Sequence, residues 1–432
     1  MIHPALRATT AAVCAGLMAA FSIQVHAEAL PRATPESVGM SSQRLARIAA
    51  ALKEDIDKGR MPGAVIAVAR KGRLVYYEAF GFLDRAKGTP MPKDAIFSIA
   101  SMTKPVVAAA ALSFAEENRI LVHEPVGTYL PALKNMSVVK FGRDASGGEV
   151  IDRGPARRQP TIQDLMRHTA GFTYGNQGST ALHKAYPGGS GNVAASMTGA
   201  EFIAALAKLP LHYQPGTTWD YSYGLDILGL AIEEVAKQPL GRVLQDRFFG
   251  PLGMTDTAFT VTKEKAGRIA RALPVDPVTG QPQSIRDQTQ PWTFECGGGC
   301  LTSTALDYLR FAQMLLNGGS LDDTRVLGRK TVEYMTADHL GPGVNVEKLH
   351  NFPVEHIDGY GFGLGVAVRR VPGVAGIMGS PGDFRWSGAQ GTLFWVDPKE
   401  ELAVVYMAQT PGAIRAHYRQ VIATLVQQAI VD

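Results

Sequence analysis

Ser101-Met-Thr-Lys104 sets a hydroxyl and an amine three positions apart, just ahead of an apolar, alanine-rich run. That run reads as a buried helix. Residues i and i+3 share one helix face, so both side chains can point at the same small volume. Pro105 places the helix start, because proline lacks an amide hydrogen and is tolerated only near a helix N-terminus. Ser101 then sits at or just before the first turn, among free amides and at the positive end of the helix dipole. Burial favours the neutral form of an amine, and a serine beside such an amine is a nucleophile with its own base. The pattern is loose, and Ser137-Val-Val-Lys140 matches it too. That copy alternates like a strand, where i and i+3 face opposite sides, and is read as a decoy.

A serine hydrolase also needs a proton acceptor and donors for the oxyanion. Tyr221 lies in Pro215-Gly-Thr-Thr-Trp-Asp-Tyr-Ser-Tyr-Gly224, a glycine-opened turn that feeds a helix. A phenol near an ammonium group has its ionised form stabilised and can act as a base. The competing reading is an amphipathic aromatic that only packs at the surface. A third stretch, Gly382-Asp-Phe-Arg-Trp386-Ser387-Gly388-Ala389-Gln-Gly391, reads as a strand whose small residues let a substrate approach closely. An ordinary edge strand containing glycines fits it as well. No Gly-x-Ser-x-Gly elbow and no His-Glu-x-x-His occurs. Gly361-Phe-Gly363-Leu-Gly365 lies in a strand pattern with no helix after it, which argues against a nucleotide loop.

The elements that must position these groups follow from periodicity. Residues 41–57 have helical spacing (Leu45, Ile48, Leu52, Ile56). Strands at 63–70 and 74–80 follow, joined by a hairpin turn at Lys71-Gly72. After the Ser101 helix, 125–141 is mostly irregular with a short strand, and 161–168 is a short helix. Residues 175–199 are rich in glycine, serine and asparagine and too long for a plain connector, which predicts a lid or binding loop. Helices are expected over 201–208 and 221–237, the second with Leu225, Leu228, Ile232 and Val235 at core spacing. An extended, turn-rich stretch, 256–292, comes next. Thr304-Ala-Leu-Asp307 resembles a capping box opening a helix to Leu316, closed by Gly318-Gly319. Strands at 363–369, 391–396 and 402–408 and a helix near 413–429 complete the pattern. Strands at both ends with helices between them predict one sheet built from the two termini, with a helical region inserted.

Of the 432 residues, 46% are apolar and 19% charged, ordinary for a globular protein with a sizeable core. The formal charge of +4 is too small and dispersed to argue for nucleic acid or an anionic membrane. Residues 1–27 read as a secretory signal: Arg7, an apolar core over 11–23, then Val25-His26-Ala27 before the cleavage point. The apolar run is short for a membrane span, so the mature chain is expected to be periplasmic or secreted. In such an oxidising compartment Cys296-Gly-Gly-Gly-Cys300 reads as a disulfide, since the glycines let two sulfurs meet. No histidine or further cysteine lies near enough to make the pair a metal site, and no metal or cofactor is expected.

Ser101-x-x-Lys104, Tyr221-Ser222-Tyr223 and Trp386-Ser387-Gly388, in that order, resemble the serine β-lactamase and DD-peptidase superfamily of the class C type. Within it the chain is most similar to family VIII carboxylesterases. Leu165-Met-Arg-His168-Thr169-Ala-Gly171 and Leu301-Thr-Ser-Thr-Ala-Leu-Asp307-Tyr308 match as well. The similarity runs from about Pro35 to Gln427. It implies a β-lactamase-like α+β fold, with an antiparallel sheet from both termini flanked by helices. It also implies one serine hydrolase domain over 28–432, with a mainly helical subdomain at roughly 115–300. Ser101 would be the acylated nucleophile, with Lys104 and Tyr221 sharing the proton transfers. The Ser101 and Ala389 amides would form the oxyanion hole, and Trp386 and Gly388 would frame the acyl pocket, beside Ser387 and Tyr223. Penicillin-recognising members carry a lysine at Trp386 and an asparagine at Tyr223. Losing both removes contacts to a charged amide substrate, so the expected substrate is a small or short-chain acyl ester. A β-lactam or D-amino-acid peptide, or penicillin binding without turnover, is the alternative.

Overall fold

The computed structural model of the protein describes residues 30–350 and 357–432, and the signal expected at 1–27 lies outside the described residues. Eight strands form one antiparallel sheet. The N-terminal part supplies β1 (Gly63–Arg70), β2 (Arg73–Asp84) and β3 (Thr89–Pro90). The C-terminal part supplies β4 (Tyr360–Phe362), β5 (Ala367–Arg369), β6 (Phe384–Ser387), β7 (Leu393–Asp397) and β8 (Leu402–Ala408). Their order is β4-β5-β6-β7-β8-β1-β2-β3. The two parts therefore meet at the β1–β8 pair, in register from Ala64 opposite Ala408 to Arg70 opposite Leu402. Lys71 and Gly72 take φ of 51° and 71°, the left-handed turn that matches the twist of a hairpin.

Every residue of β1 is buried. Successive side chains on a strand point to opposite faces, so a strand apolar at every position is covered on both sides. Val65, Ala67 and Ala69 belong to a core shared with most of the helices. Ala64, Ile66 and Val68 belong to a second core, closed by the helices Arg47–Asp57 and Arg415–Gln427. Among the described residues no helix is long and apolar enough to cross a membrane.

The helix after Ser101 runs Thr103–Glu116, preceded by a 3-10 turn, Ala100–Met102, and all of its residues through Phe114 are buried. A helix apolar all round belongs inside a core. The 301–308 stretch wraps its start: the Leu301 carbonyl accepts from the Ile99 amide (3.1 Å) and the Leu301 amide donates to Thr103 Oγ1 (3.1 Å). Tyr308 donates its hydroxyl to the Met102 carbonyl at 2.7 Å. Ser137–Arg143 is a strand, paired with Glu149–Pro155, as the alternation of the decoy motif indicates.

Three expectations are corrected. Residues 363–369 are not one strand, because Gly365 turns with φ 83° against the helix Thr103–Glu116. A Cβ there would lie 2.9 Å from Ala108 Cβ. Residues 175–199 are not an open loop: they hold the short helices Ala181–Ala185, capped by Thr180, and Ser190–Ser196. The helix expected from 221 runs Gly224–Ala236. The amides just before it serve other segments, Trp219 donating to the Asn345 carbonyl and Asp220 to that of His168.

Candidate active site

Ser101 sits in the 3-10 turn at the helix entry, directly after Ala100, whose φ is 43°. A non-glycine residue holds a left-handed backbone only where its surroundings over-determine it. Here Ile99 is pinned from both sides, by the Leu301 carbonyl and by Thr392 Oγ1, which donates to the Ile99 carbonyl at 3.3 Å. Gly388 lets β6 come this close, since a Cβ on it would stand 2.2 Å from the Ile99 oxygen. The Gly388 carbonyl is in turn held by the buried Arg419 guanidinium.

Tyr221 is brought in from 120 residues away, and its hydroxyl stands 2.7 Å from Ser101 Oγ. Lys104 Nζ lies 3.4 Å from the same oxygen and donates a shorter bond, 2.6 Å, to the Gly298 carbonyl. It also lies 4.5 Å from the centre of the Tyr221 ring, a cation–π distance. The three groups thus share one volume, with Lys104 only 1% exposed. Ser101 and Tyr221 line a cavity of about 570 Å³ together with Ala389 and Gln390. The 175–199 segment contributes Asn176, Gln177 and Asn192 to its wall, and Arg286 and Trp292 line it as well.

The remaining residues read from sequence fall elsewhere. Trp386 is buried behind Tyr221, its ring 5.7 Å from that of Tyr221 and edge-on to Phe362 at 5.2 Å. It therefore braces the phenol and is not among the cavity-lining residues. Ser387 and Gly388 lie in the strand and turn that carry Ala389 to the cavity. Tyr223 is fully buried, packs on Tyr174 and Phe202, and donates its hydroxyl to the Gly188 carbonyl. Its hydroxyl hydrogen is thus directed to Gly188, and Tyr223 is not among the cavity-lining residues.

His168, with φ 57°, packs its ring 4.7 Å from that of Tyr221. Burial pushes its imidazole well below the usual range, with Lys104 nearby acting in the same direction. It is thus a neutral wall for the phenol. Sequence reasoning passed over Asp226, Tyr174 and Ser190. Asp226 accepts from Ser190 Oγ at 2.7 Å, from the Gly298 amide at 2.8 Å and from the Tyr174 hydroxyl at 3.4 Å. Burial raises its carboxyl above the usual range, against the opposing pull of Lys104 and these donors. A carboxylate amid Leu225, Ile227 and Leu228 was the available signal, because a buried charge needs partners. Cys296 and Cys300 are bonded, with Cα atoms 5.3 Å apart. Among the described residues no cluster of three or more His, Cys, Asp or Glu could hold a metal ion.

A family model described as Beta-lactamase matches residues 48–427. An uncharacterized protein of Mycobacterium tuberculosis is 36% identical over 374 residues, which cover 83% of this chain and 88% of that one. Esterase EstB of Burkholderia gladioli is 28% identical over 390 residues, 84% of this chain and 90% of its own. Among solved structures, EstCE1, described as a hydrolase with promiscuous acyltransferase activity, aligns with a TM-score of 0.70 at 25% identity. That alignment covers 90% of this chain and 99% of EstCE1. Unliganded simvastatin synthase from Aspergillus terreus aligns with a TM-score of 0.73 over 90% of this chain and 99% of its own. At 21% identity it speaks to the fold alone.

Proposed function

This chain belongs to the Beta-lactamase family of serine hydrolases, and from that premise we propose that it cleaves small or short-chain acyl esters through an acyl-enzyme on Ser101. The observation that carries the reading is the Ser101 hydroxyl, 2.7 Å from the Tyr221 oxygen and 3.4 Å from Lys104 Nζ at a cavity mouth. Ser101 Oγ attacks the ester carbonyl carbon while its proton passes to the Tyr221–Lys104 pair. The carbonyl oxygen takes up the negative charge between the Ser101 and Ala389 amides. Collapse breaks the bond to the alcohol, which leaves with the proton. Water then attacks the acyl-enzyme by the same route and releases the acid. The esterase and hydrolase among the relatives support this choice.

One observation favours the alternative of a β-lactam or D-amino-acid peptide. The cavity wall is richer in amides and hydroxyls (Asn176, Gln177, Ser190, Asn192, Gln390) than an aromatic acyl pocket would be. A side-by-side panel decides between them. Nitrophenyl acetate and butyrate are expected to be hydrolysed, with activity lost in Ser101→Ala and kcat lowered at least about 100-fold in Tyr221→Phe. Faster turnover of a chromogenic cephalosporin than of any ester would replace the esterase reading. A stable adduct on Ser101 without product would point to a penicillin-binding role.

A further inference from the structure

Lys104 is held less by the nucleophile than by a carbonyl from a distant loop. Its 2.6 Å bond to the Gly298 oxygen is far shorter than its 3.4 Å approach to Ser101 Oγ. Gly298 is the middle residue of the Cys296-Gly-Gly-Gly-Cys300 ring closed by the disulfide. Its amide donates to Asp226 Oδ1 at 2.8 Å, so one residue, through the two peptide units that flank its Cα, links the carboxyl to the amine. The other Asp226 oxygen is fixed by Ser190 and Tyr174.

The ring is pressed hard onto the helix that carries Asp226. A Cβ on Gly297 would lie 2.2 Å from the Leu225 oxygen, and one on Gly298 would lie 2.3 Å from Asp226 Oδ2. Gly297 and Gly298 therefore leave no room for a side chain, whereas a Cβ on Gly299 would meet nothing closer than 3.7 Å, and glycine is the residue with the most backbone freedom to lose. Closing the ring removes that freedom where the carbonyl has to aim. A ring this short removes less entropy from the unfolded chain than a long one would.

We propose that Asp226 and the Cys296–Cys300 ring are positioning residues for Lys104, fixing the Gly298 backbone so that its carbonyl sets the amine beside Ser101. The inference rests on the reading of Lys104 as a partner in proton transfer. Asp226→Ala removes the acceptor of the Gly298 amide, whereas Asp226→Asn keeps an acceptor oxygen of the same reach. Cys296→Ala/Cys300→Ala opens the ring. Each is compared with wild type and Ser101→Ala for nitrophenyl butyrate turnover and for the rate of Ser101 labelling by a fluorophosphonate, read by mass spectrometry.

Asp226→Ala is expected to slow both rates by about 100-fold, the scale of an ångström-sized misplacement, with KM within about twofold of wild type. Asp226→Asn is expected to recover to within about threefold of wild type, and the ring-opened variant to lose about tenfold in kcat at unchanged KM. A folded Asp226→Ala with wild-type rates overturns the proposal, and so does an Asp226→Asn as slow as the alanine variant. Should Asp226→Ala fail to fold, the ring-opened variant decides, and wild-type rates there refute the idea. Labelling of Ser101 without ester turnover in wild type counts against the esterase reading and leaves the labelling comparison to judge the clamp.

Discussion

Trp386 shows how a single side chain can carry the expected chemistry at one remove. Its place in the Trp386-Ser387-Gly388 motif suggested an aromatic wall for the acyl group. In the structure its ring packs against those of Tyr221 and Phe362, and we propose that its effect on a substrate passes through the phenol. Trp386→Ala is accordingly expected to lower kcat by loosening Tyr221, while the preference among acetate, butyrate and octanoate esters stays as in wild type. A shifted chain-length profile with kcat preserved would put the indole back in the acyl pocket. The same logic applies to His168, a neutral ring at 4.7 Å from Tyr221.

The short helix Ile162–Met166 leads into His168 in the chain. Thr161 caps it, and the buried Asp164 accepts from the Thr161 amide and the Thr169 hydroxyl as well as from Arg158 and Arg167. Burial alone would raise the Asp164 carboxyl, but the two guanidinium groups and the amide outweigh it and hold it at about 2. An unfolded aspartate titrates near 3.9, so the folded state binds its proton more weakly. The stabilisation, about 2 kcal/mol from this difference, is present above pH ~4 and is lost as pH falls through about 2. Asp164→Asn should therefore unfold at lower urea than wild type at pH 7, with the gap closing towards pH 2. An equal gap at both pH values would mean that the loss lies in packing rather than in charge.

Across the whole molecule, the β1–β8 pair divides two cores that do separate work. The core closed by Arg47–Asp57 and Arg415–Gln427 holds the sheet, and the other holds the active site. Ile66, fully buried on the side away from Ser101, tests the division. Ile66→Ala is expected to cost about 2–5 kcal/mol in denaturant unfolding, while kcat and KM of the folded protein stay near wild type. A matching loss of kcat would show the two faces to be coupled. The reading of 28–432 as one hydrolase domain with a mainly helical subdomain at roughly 115–300 remains a proposal, supported by strands from both parts of the chain in one sheet.

Local spacing was enough to place the turn at Ser101, the buried helix behind it and the strand β1. Each is written in residues a few positions apart: Ser101 and Lys104, Pro105, the unbroken apolar run of 63–69. The resemblance then named Tyr221, but only the tertiary structure could bring its hydroxyl to Ser101 and the Gly298 carbonyl, 194 residues away in sequence, to Lys104. It alone turned Tyr223 and Trp386 inward and made helices of 175–199. A side chain's type limits what it can do, whereas its partner is chosen by packing between segments that no local period connects.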